Sequence, residues 1–99
     1  MQVIAKRTLR QFWEIHPPSE TPLRAWFGLV DKAQWDGPQD IKDMFGTTVD
    51  FIGDNRVIFD IGGNKYRLIV HISYQYKRVL VKFLGTHREY DRVNPEKIK

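Results

Sequence analysis

The apolar residues in the first part of the chain recur with the period of a helix. In "KRTLRQFWEIHPP", residues 6–18, Leu9, Phe12 and Trp13 fall on one helical face, with His16 on the same side. The two prolines at the end of this stretch stop the helix, because proline lacks the backbone donor that a helix interior needs. The preceding "MQVIA" is a candidate for one short strand.

A second and a third helix are predicted to follow. Ser19 or Thr21 can cap the second helix, and Pro22 suits its first turn. Gly37–Pro38 is expected to end it after Trp35. Its inward-facing positions, at i, i+3, i+4 and i+7 spacing, are Leu23, Trp26, Phe27, Val30 and Ala33. In the short third helix, "PQDIKDMFG", the inward-facing residues are predicted to be Ile41, Met44 and Phe45.

After Gly46 the apolar pattern changes to that of strands. The segments "TVDFI", "RVIFDI", "KYRLIVHISY" and "RVLVKFL" are rich in Val, Ile, Phe and Tyr. The intervening Asp54–Asn55, Gly62–Gly63–Asn64 and Gln75–Lys77 are short enough to close hairpins. This order predicts an α+β fold for residues 1–99, a single domain in which N-terminal helices pack on one face of an antiparallel sheet.

Alternation along the last two strand segments divides their side chains between the two faces of that sheet. The set expected beneath the helices is Tyr66, Leu68, Val70, Ile72 and Tyr74, with Val79, Val81 and Phe83. The other set, here called the second face, contains Lys65, Arg67, Ile69, His71 and Ser73, with Arg78, Leu80, Lys82 and Leu84. Every ionisable group in this second set is basic or can become so, and an antiparallel sheet can leave one face in solvent.

The charge of the chain is concentrated at its C-terminal end. Residues 1–76 carry nine Lys/Arg and nine Asp/Glu, whereas residues 77–99 carry seven against three. A localised basic surface attracts polyanions such as nucleic acid, although solvated charge that serves solubility is the plain alternative. With 41% hydrophobic residues the chain can bury a core.

Other classes of protein are disfavoured by what the sequence lacks. It contains no cysteine, which excludes disulfides, thiolate metal sites and thiol chemistry. No pair of histidines has a convincing metal-ligand spacing and no acidic cluster suggests magnesium, so we expect no cofactor and no metal. No apolar run approaches the roughly 18–20 residues that span a bilayer, and the N-terminus lacks the apolar core of a signal peptide. We expect a cytoplasmic protein.

The segment "GTHREYDR", residues 85–92, follows the last strand directly. His87 and Tyr90 are three residues apart, so one helical turn would bring both to one side, at the margin of the second face. Each also has a plainer interpretation. His87 could cap a helix after Thr86, and Tyr90 could anchor the terminal turn to the core.

Together with this segment, "GNKYRLIV" resembles the HigB-type toxins of bacterial toxin–antitoxin systems, which are relatives of the RelE toxins. The N-terminal "HPPSETPLRAWFGLVDKAQWDGPQDIKDMF" is similar to the helical region of that family. The resemblance implies a small α+β RelE-like domain that cleaves messenger RNA, usually on the ribosome, and that pairs with a helix-turn-helix antitoxin of the HigA type. Carried onto matching positions, it suggests a site formed by Lys65, Arg67, His87 and Tyr90. Asn64 also matches, but a turn role is at least as plausible there.

RNA can be cut without metal, because its own 2′-hydroxyl can attack the adjacent phosphate. Arg67 and Lys65 would bind that phosphate, and His87 would transfer the proton. Tyr90 would either position the nucleotide by stacking or share the proton transfer, for which its ordinary pKa of about 10 would require a cationic environment. Residues expected to guide the RNA backbone are Arg78, Lys82, Arg88 and Arg92.

Three functions therefore remain open from the sequence. The first is a ribonuclease toxin, ribosome-dependent by analogy. The second is a module of the same fold that binds RNA or the ribosome without cutting. The third, a purely structural partner-binding domain, leaves the basic second face unexplained.

Overall fold

The computed structural model describes residues 1–99 as four helices and one five-stranded sheet. The helices are α1 (Lys6–Ile15), α2 (Glu20–Lys32), α3 (Pro38–Phe45) and α4 (His87–Tyr90). The strands are β1 (Gln2–Ile4), β2 (Val49–Ile52), β3 (Arg56–Ile61), β4 (Tyr66–Ser73) and β5 (Arg78–Thr86). The predicted α+β class is confirmed, as is the short initial strand.

The helices differ from their predicted form in three details. Ser19 occupies the cap position of α2, but its hydroxyl donates to the carbonyl of His16 at 2.7 Å and does not cap the helix. Helix α2 ends at Lys32, because Ala33 already has extended backbone angles, and Trp35 is buried beyond the helix end. The inward orientation predicted for Met44 is wrong, since its side chain is 43% exposed.

The sheet has the strand order β1-β5-β4-β3-β2. Strands β2 to β5 form the predicted antiparallel meander. Strand β1 joins β5 in parallel, with Gln2 opposite Arg78, so the sheet is mixed and the prediction of a wholly antiparallel sheet is wrong at this edge. Parallel neighbours need a long crossover, which the three helices and the meander supply here.

The tight turns of the meander depend on residues that tolerate positive φ. Asp54 and Asn55 have φ of 62° and 57° between β2 and β3. Gly62, Gly63 and Asn64 have φ of 65°, 63° and 78° between β3 and β4. Asn64 therefore has the turn role that was its alternative interpretation.

The main core lies between α1, α2, α3 and one face of the sheet. Leu23 and Val30 of α2 are fully buried there, together with Leu9 of α1 and Ile41 of α3. The sheet contributes Val57, Phe59, Ile61, Tyr66, Leu68, Val70, Ile72 and Val79. In β4 the face assigned by alternation is therefore correct.

A bulge in β5 reverses that alternation near its end. Val70 pairs with Val81 and Ile69 pairs with Phe83, so Lys82 is an extra residue in β5. Beyond it, Leu84 pairs with Leu68 and packs on the main core, while Phe83 shares the second face with Ile69. The predicted faces of Phe83 and Leu84 are thus exchanged.

The second face is neither free in solvent nor purely basic. Strands β2 and β3 add Asp50 and Asp60 to it, opposite Ile58 and Arg67. Ile58 and Ile69 also lie on this face, yet they are only 4% and 0% exposed. The solvent-exposed basic face expected from the sequence is therefore wrong.

The chain that follows α4 covers this part of the second face. We call residues 93–98 the strap. Its apolar residues Val93, Pro95 and Ile98 are half-buried, whereas Asn94, Glu96 and Lys97 are exposed. Arg56, in β3, donates through Nη1 to the carbonyl of Pro95 at 3.0 Å and to that of Ile98. The strap thus lies with its apolar side on the sheet.

Candidate active site

The start of β4, the end of β5 and helix α4 meet at one corner of the second face. Arg67 pairs with Gly85 across the β4–β5 ladder, and α4 begins two residues after Gly85. A side-chain Cβ at Gly85 would meet the ring of Phe83 at 2.5 Å and the Cβ of Glu89 at 3.2 Å. The absence of a side chain at this position therefore lets α4 approach the sheet next to Arg67.

Arg67 is the centre of this corner. Its guanidinium forms an ion pair with Asp60, which lies directly opposite it on β3. Its Nη2 is 3.2 Å from Nε2 of His87. The guanidinium carbon lies 5.5 Å from the centroid of the Tyr90 ring, within cation–π range. One arginine thus touches an acid, an imidazole and a phenol ring.

His87 is oriented from both sides of its ring. Nδ1 is 3.5 Å from Oδ2 of Asp91, close enough for attraction and long for a hydrogen bond. Because an arginine can only donate, its contact assigns Nε2 as the acceptor and leaves the proton on Nδ1, towards Asp91. The peptide N–H of His87 donates to the carbonyl of Lys65 at 3.2 Å, which ties α4 to the start of β4.

Helix α4 has only four residues and is held at its start by a capping box. The amide of Glu89 donates to the Thr86 hydroxyl at 3.2 Å, and the amide of Thr86 donates to Oε1 of Glu89 at 2.8 Å. The backbone hydrogen bond from Thr86 is the main reason that the pKa of Glu89 is lowered, with a smaller contribution from the charges of His16 and Arg92. Thr86 is therefore the cap, and His87 is the first residue of the helix.

All four residues suggested by the family motif lie at this corner. Lys65 is exposed in the turn before β4, and its carbonyl accepts the hydrogen bond from the first amide of α4. The rings of His87 and Tyr90 are 6.4 Å apart between centroids. Tyr90 is half-buried, and its carbonyl accepts a hydrogen bond from the amide of Val93, which starts the strap. The arrangement brings a guanidinium, an imidazole and an aromatic ring together, with Lys65 in the adjoining turn.

The four residues expected to guide RNA are not all near this corner. Arg88 and Arg92 are exposed on α4 and just after it. Lys82 is half-buried at the bulge. Arg78 begins β5, seven residues before Gly85, which places it roughly 23 Å away along the strand. Its guanidinium lies 5.7 Å from the ring of Tyr76, so it belongs to the opposite end of the sheet.

Two acidic residues of the corner were missed from the sequence. Asp91 is four residues after His87, so the spacing alone could have placed it beside the imidazole on a helical turn. Asp60 could have been found by extending the hairpin register outward from the turn at Gly62–Gly63, which brings it opposite Arg67. Both acids lower the net positive charge that was expected at this site.

Other types of site have little support in the structure. No group of three or more His, Cys, Asp or Glu side chains is placed to hold a metal ion. None of the helices combines the length and the apolar character that crossing a bilayer requires. The largest surface groove, about 550 Å³, lies on the helical side between α2 and α3, where exposed Leu29 and Met44 line it. None of its lining residues belongs to the corner around Arg67, and a phosphodiester backbone does not require a deep apolar pocket.

Comparison with known proteins identifies the family. Residues 19–93 match the family model of HigB toxin, described as the RelE-like toxic component of a toxin–antitoxin system. The chain is 26% identical over 94 residues to the mRNA interferase HigB of Escherichia coli O6:H1, covering 94% of this chain and 91% of that protein. It is equally identical over 92 residues to the mRNA interferase toxin HigB of Escherichia coli K12, covering 92% and 88%. Because the family model spans most of the chain and includes the whole corner around Arg67, this protein belongs to the HigB family of RelE-like toxins.

Proposed function

We propose that this toxin is an endoribonuclease that cleaves messenger RNA at the corner formed by Lys65, Arg67, His87 and Tyr90. The proposal rests chiefly on one observation, the contact of the Arg67 guanidinium with both the His87 imidazole and the Tyr90 ring. These groups supply charge, proton transfer and a stacking surface at a single point. The relatives' designation as mRNA interferases supports the same activity.

The reaction is an internal transesterification that needs no metal. Nε2 of His87 accepts the proton of the 2′-hydroxyl, and the 2′-oxygen attacks the phosphorus. The phosphorus–5′-oxygen bond breaks, the leaving oxygen takes up a proton from solvent water, and the products end in a 2′,3′-cyclic phosphate and a 5′-hydroxyl; His87 then returns its proton to solvent. Arg67 and Lys65 stabilise the charge that develops on the non-bridging oxygens.

The ion pair between Arg67 and Asp60 must be partly replaced when a phosphate of the substrate binds to Arg67. A phosphate that approaches Arg67 competes with the Asp60 carboxylate for the guanidinium, which has five N–H donors in all. The donor Nη2 that now contacts His87 turns to the phosphate, and this frees Nε2 to act as a base. The ring of Tyr90, beside the same guanidinium, is the stacking surface for a neighbouring base.

The site is small, and this favours a substrate that is already held by something else. Near Arg67 the exposed cations are Lys65, Arg88 and Arg92, and Arg78 is too far away to contact the same phosphate. So few phosphate contacts give weak affinity for free RNA at physiological salt. We therefore propose that the enzyme acts on mRNA bound to the ribosome, in the cytoplasm, and that a helix-turn-helix antitoxin of the HigA type neutralises it.

The test is cleavage of mRNA in a purified translation system, with mapping of the ends. We expect cut messenger with 2′,3′-cyclic phosphate ends, and a rate loss of about 10²-fold or more for His87→Ala and for Arg67→Ala. Arg10→Ala, on the exposed side of α1, is the matched control and should cut normally. Near-normal rates in His87→Ala or Arg67→Ala would remove that residue from the mechanism. Binding without any cleavage would favour the non-catalytic RNA-binding module instead.

The antitoxin proposal has a separate test. The protein encoded beside this chain should form a stable complex with it and should suppress its toxicity when the two are produced together. A neighbouring product that lacks a helix-turn-helix motif, yet neutralises the toxin, would refute the HigA-type assignment.

A further inference from the structure

Arg56 carries a buried charge that the proposed chemistry does not use. The residue is only 9% exposed, and it takes part in none of the salt bridges of the structure. Its polar contacts are the carbonyls of Pro95 and Ile98, both in the strap. Burying a guanidinium with carbonyls alone is costly, so these two bonds are needed to hold it in place.

The strap links Arg56 to the proposed active site from the far end of the sheet face. Arg56 lies opposite His71 on β4, while Asp60, four residues further along β3, lies opposite Arg67. The two arginines are therefore separated by roughly 13 Å along the strands. The strap covers this distance, since it leaves α4 beside Arg67 and ends at Arg56.

Helix α4 needs such support because it is too short to be stable alone. A helix of four residues cannot offset its nucleation cost. Before the strap, α4 is fixed by the Thr86–Glu89 capping box and by the bond from His87 N–H to the Lys65 carbonyl. At its C-terminal end, the amides of Asp91, Arg92 and Val93 donate back to the carbonyls of His87, Glu89 and Tyr90.

The strap has a defined shape that can transmit this support. The side chain of Asn94 accepts the amide of Glu96 at 3.0 Å, and its carbonyl accepts the amides of Lys97 and Ile98, both at 3.0 Å. This turn presents the carbonyls of Pro95 and Ile98 to a single guanidinium nitrogen. The strap is thus a closed turn whose side-chain hydrogen bonds to the sheet all come from Arg56.

We propose that Arg56 is a positioning residue of the active site: by docking the strap on the second face, it holds α4, and with it His87 and Tyr90, beside Arg67. Its effect on RNA cleavage rests on the proposed nuclease function, whereas its effect on α4 does not. Loss of the tether leaves the strap held on the sheet only by its half-buried apolar residues, so the C-terminal end of α4 is held less firmly. His87 and Tyr90 then spend part of their time away from Arg67, which lowers kcat more than it changes KM.

The test compares Arg56→Met with Lys97→Met. Both remove one cation and leave a side chain of similar length, but Lys97 is an exposed strap residue with no side-chain hydrogen bond. Amide hydrogen exchange is measured by NMR at Asp91, Arg92 and Val93, together with single-turnover cleavage. In Arg56→Met we expect exchange to accelerate about tenfold or more at these amides, with β4 amides unchanged, and kcat to fall about tenfold. Lys97→Met should behave as wild type, and added guanidinium ion should partly restore the Arg56→Met protein.

Two further variants keep the test decisive if Arg56→Met does not fold. Arg56→Lys retains the charge and should give a smaller effect. Removal of residues 97–99 deletes the Ile98 acceptor and leaves the sheet unaltered, and it should loosen the same amides. Unchanged exchange in the folded variants would overturn the proposal, and so would an increase in kcat, which would make the strap a lid. Faster exchange in a protein that cuts no RNA would leave the positioning role standing and reject the nuclease.

Discussion

The ion pair between Asp60 and Arg67 makes stability and RNA affinity respond in opposite directions to one substitution. In Asp60→Asn, Arg67 loses its only acidic partner. The side chains of Arg67 and Asp60 are 15% and 23% exposed. The burial of this ion pair is therefore intermediate between that of surface pairs, which contribute little to stability, and that of buried pairs, whose disruption costs about 3–5 kcal/mol. We therefore expect the free energy of unfolding to fall by about 1–3 kcal/mol.

The same substitution releases the guanidinium for phosphate. RNA affinity should rise several-fold, and the slope of log K against log salt should steepen by about 0.7, the value for one more phosphate contact on a single strand. The affinity is measured with an RNA that carries a 2′-deoxy nucleotide at the cleavage point, so that nothing is cut. Urea unfolding gives the stability.

Asp50→Asn is the matched control for this prediction. Asp50 is an exposed acid on the same face of the sheet, in β2, and it has no basic partner within 4.0 Å. It undergoes the same change of charge, so any general electrostatic effect on RNA binding appears in both variants. If Asp60→Asn binds RNA no more tightly than Asp50→Asn, Asp60 does not restrain Arg67 and this account of the site is wrong.

Three further predictions concern the same corner. Gly85→Ala should lower the free energy of unfolding by about 1–3 kcal/mol, because its Cβ would meet the Phe83 ring at 2.5 Å. Most of this loss should vanish in a Phe83→Leu background, and additive effects of the two substitutions on urea unfolding would refute the clash. The lowered pKa of Glu89 means that the capping box is fully stabilising above the ordinary pKa of 4.5 and weakens as the pH falls through the lowered pKa. Over that acidic range NMR should show the Thr86 amide losing its protection from hydrogen exchange, whereas Glu89→Gln should show no such pH-dependent loss. Tyr90→Phe keeps the stacking surface and should retain cleavage within about threefold, whereas Tyr90→Leu should lose about 1–3 kcal/mol of transition-state stabilisation; a Phe variant as poor as Leu would assign the hydroxyl to proton transfer.

Local patterns predicted those parts of the fold that depend on neighbouring residues. The helices followed from a 3.6-residue period, and the hairpins followed from turn residues such as Asn55 and Gly63, which tolerate positive φ. In β4 strict alternation assigned Leu68 and Val70 correctly to the core. These features are encoded within a few residues of where they appear.

The errors arose where a distant segment decides the outcome. The bulge at Lys82 depends on how β5 pairs with β4, and alternation along β5 alone could not reveal it. Ile69 is buried on the face where the strap docks at Arg56, and the strap sequence "VNPEKI" has no strong periodic signal that could have predicted this docking. The helical turn after Gly85 was predicted next to the second face, but the pairing of Arg67 with Asp60 required the register of a different hairpin.

The parallel pairing of β1 with β5 also constrains the order in which this protein can fold. Gln2 must find Arg78, a partner 76 positions later in the chain, whereas every other strand pairs with its sequence neighbour. Closing so long a loop is slow and entropically unfavourable until the intervening hairpins have formed. During synthesis the first strand therefore stays unpaired until β5 has been made. Because α4 directly follows β5 in the chain, His87 and Tyr90 reach Arg67 only at the stage when β1 first finds its partner, so the corner around Arg67 is one of the last parts of this fold to be completed.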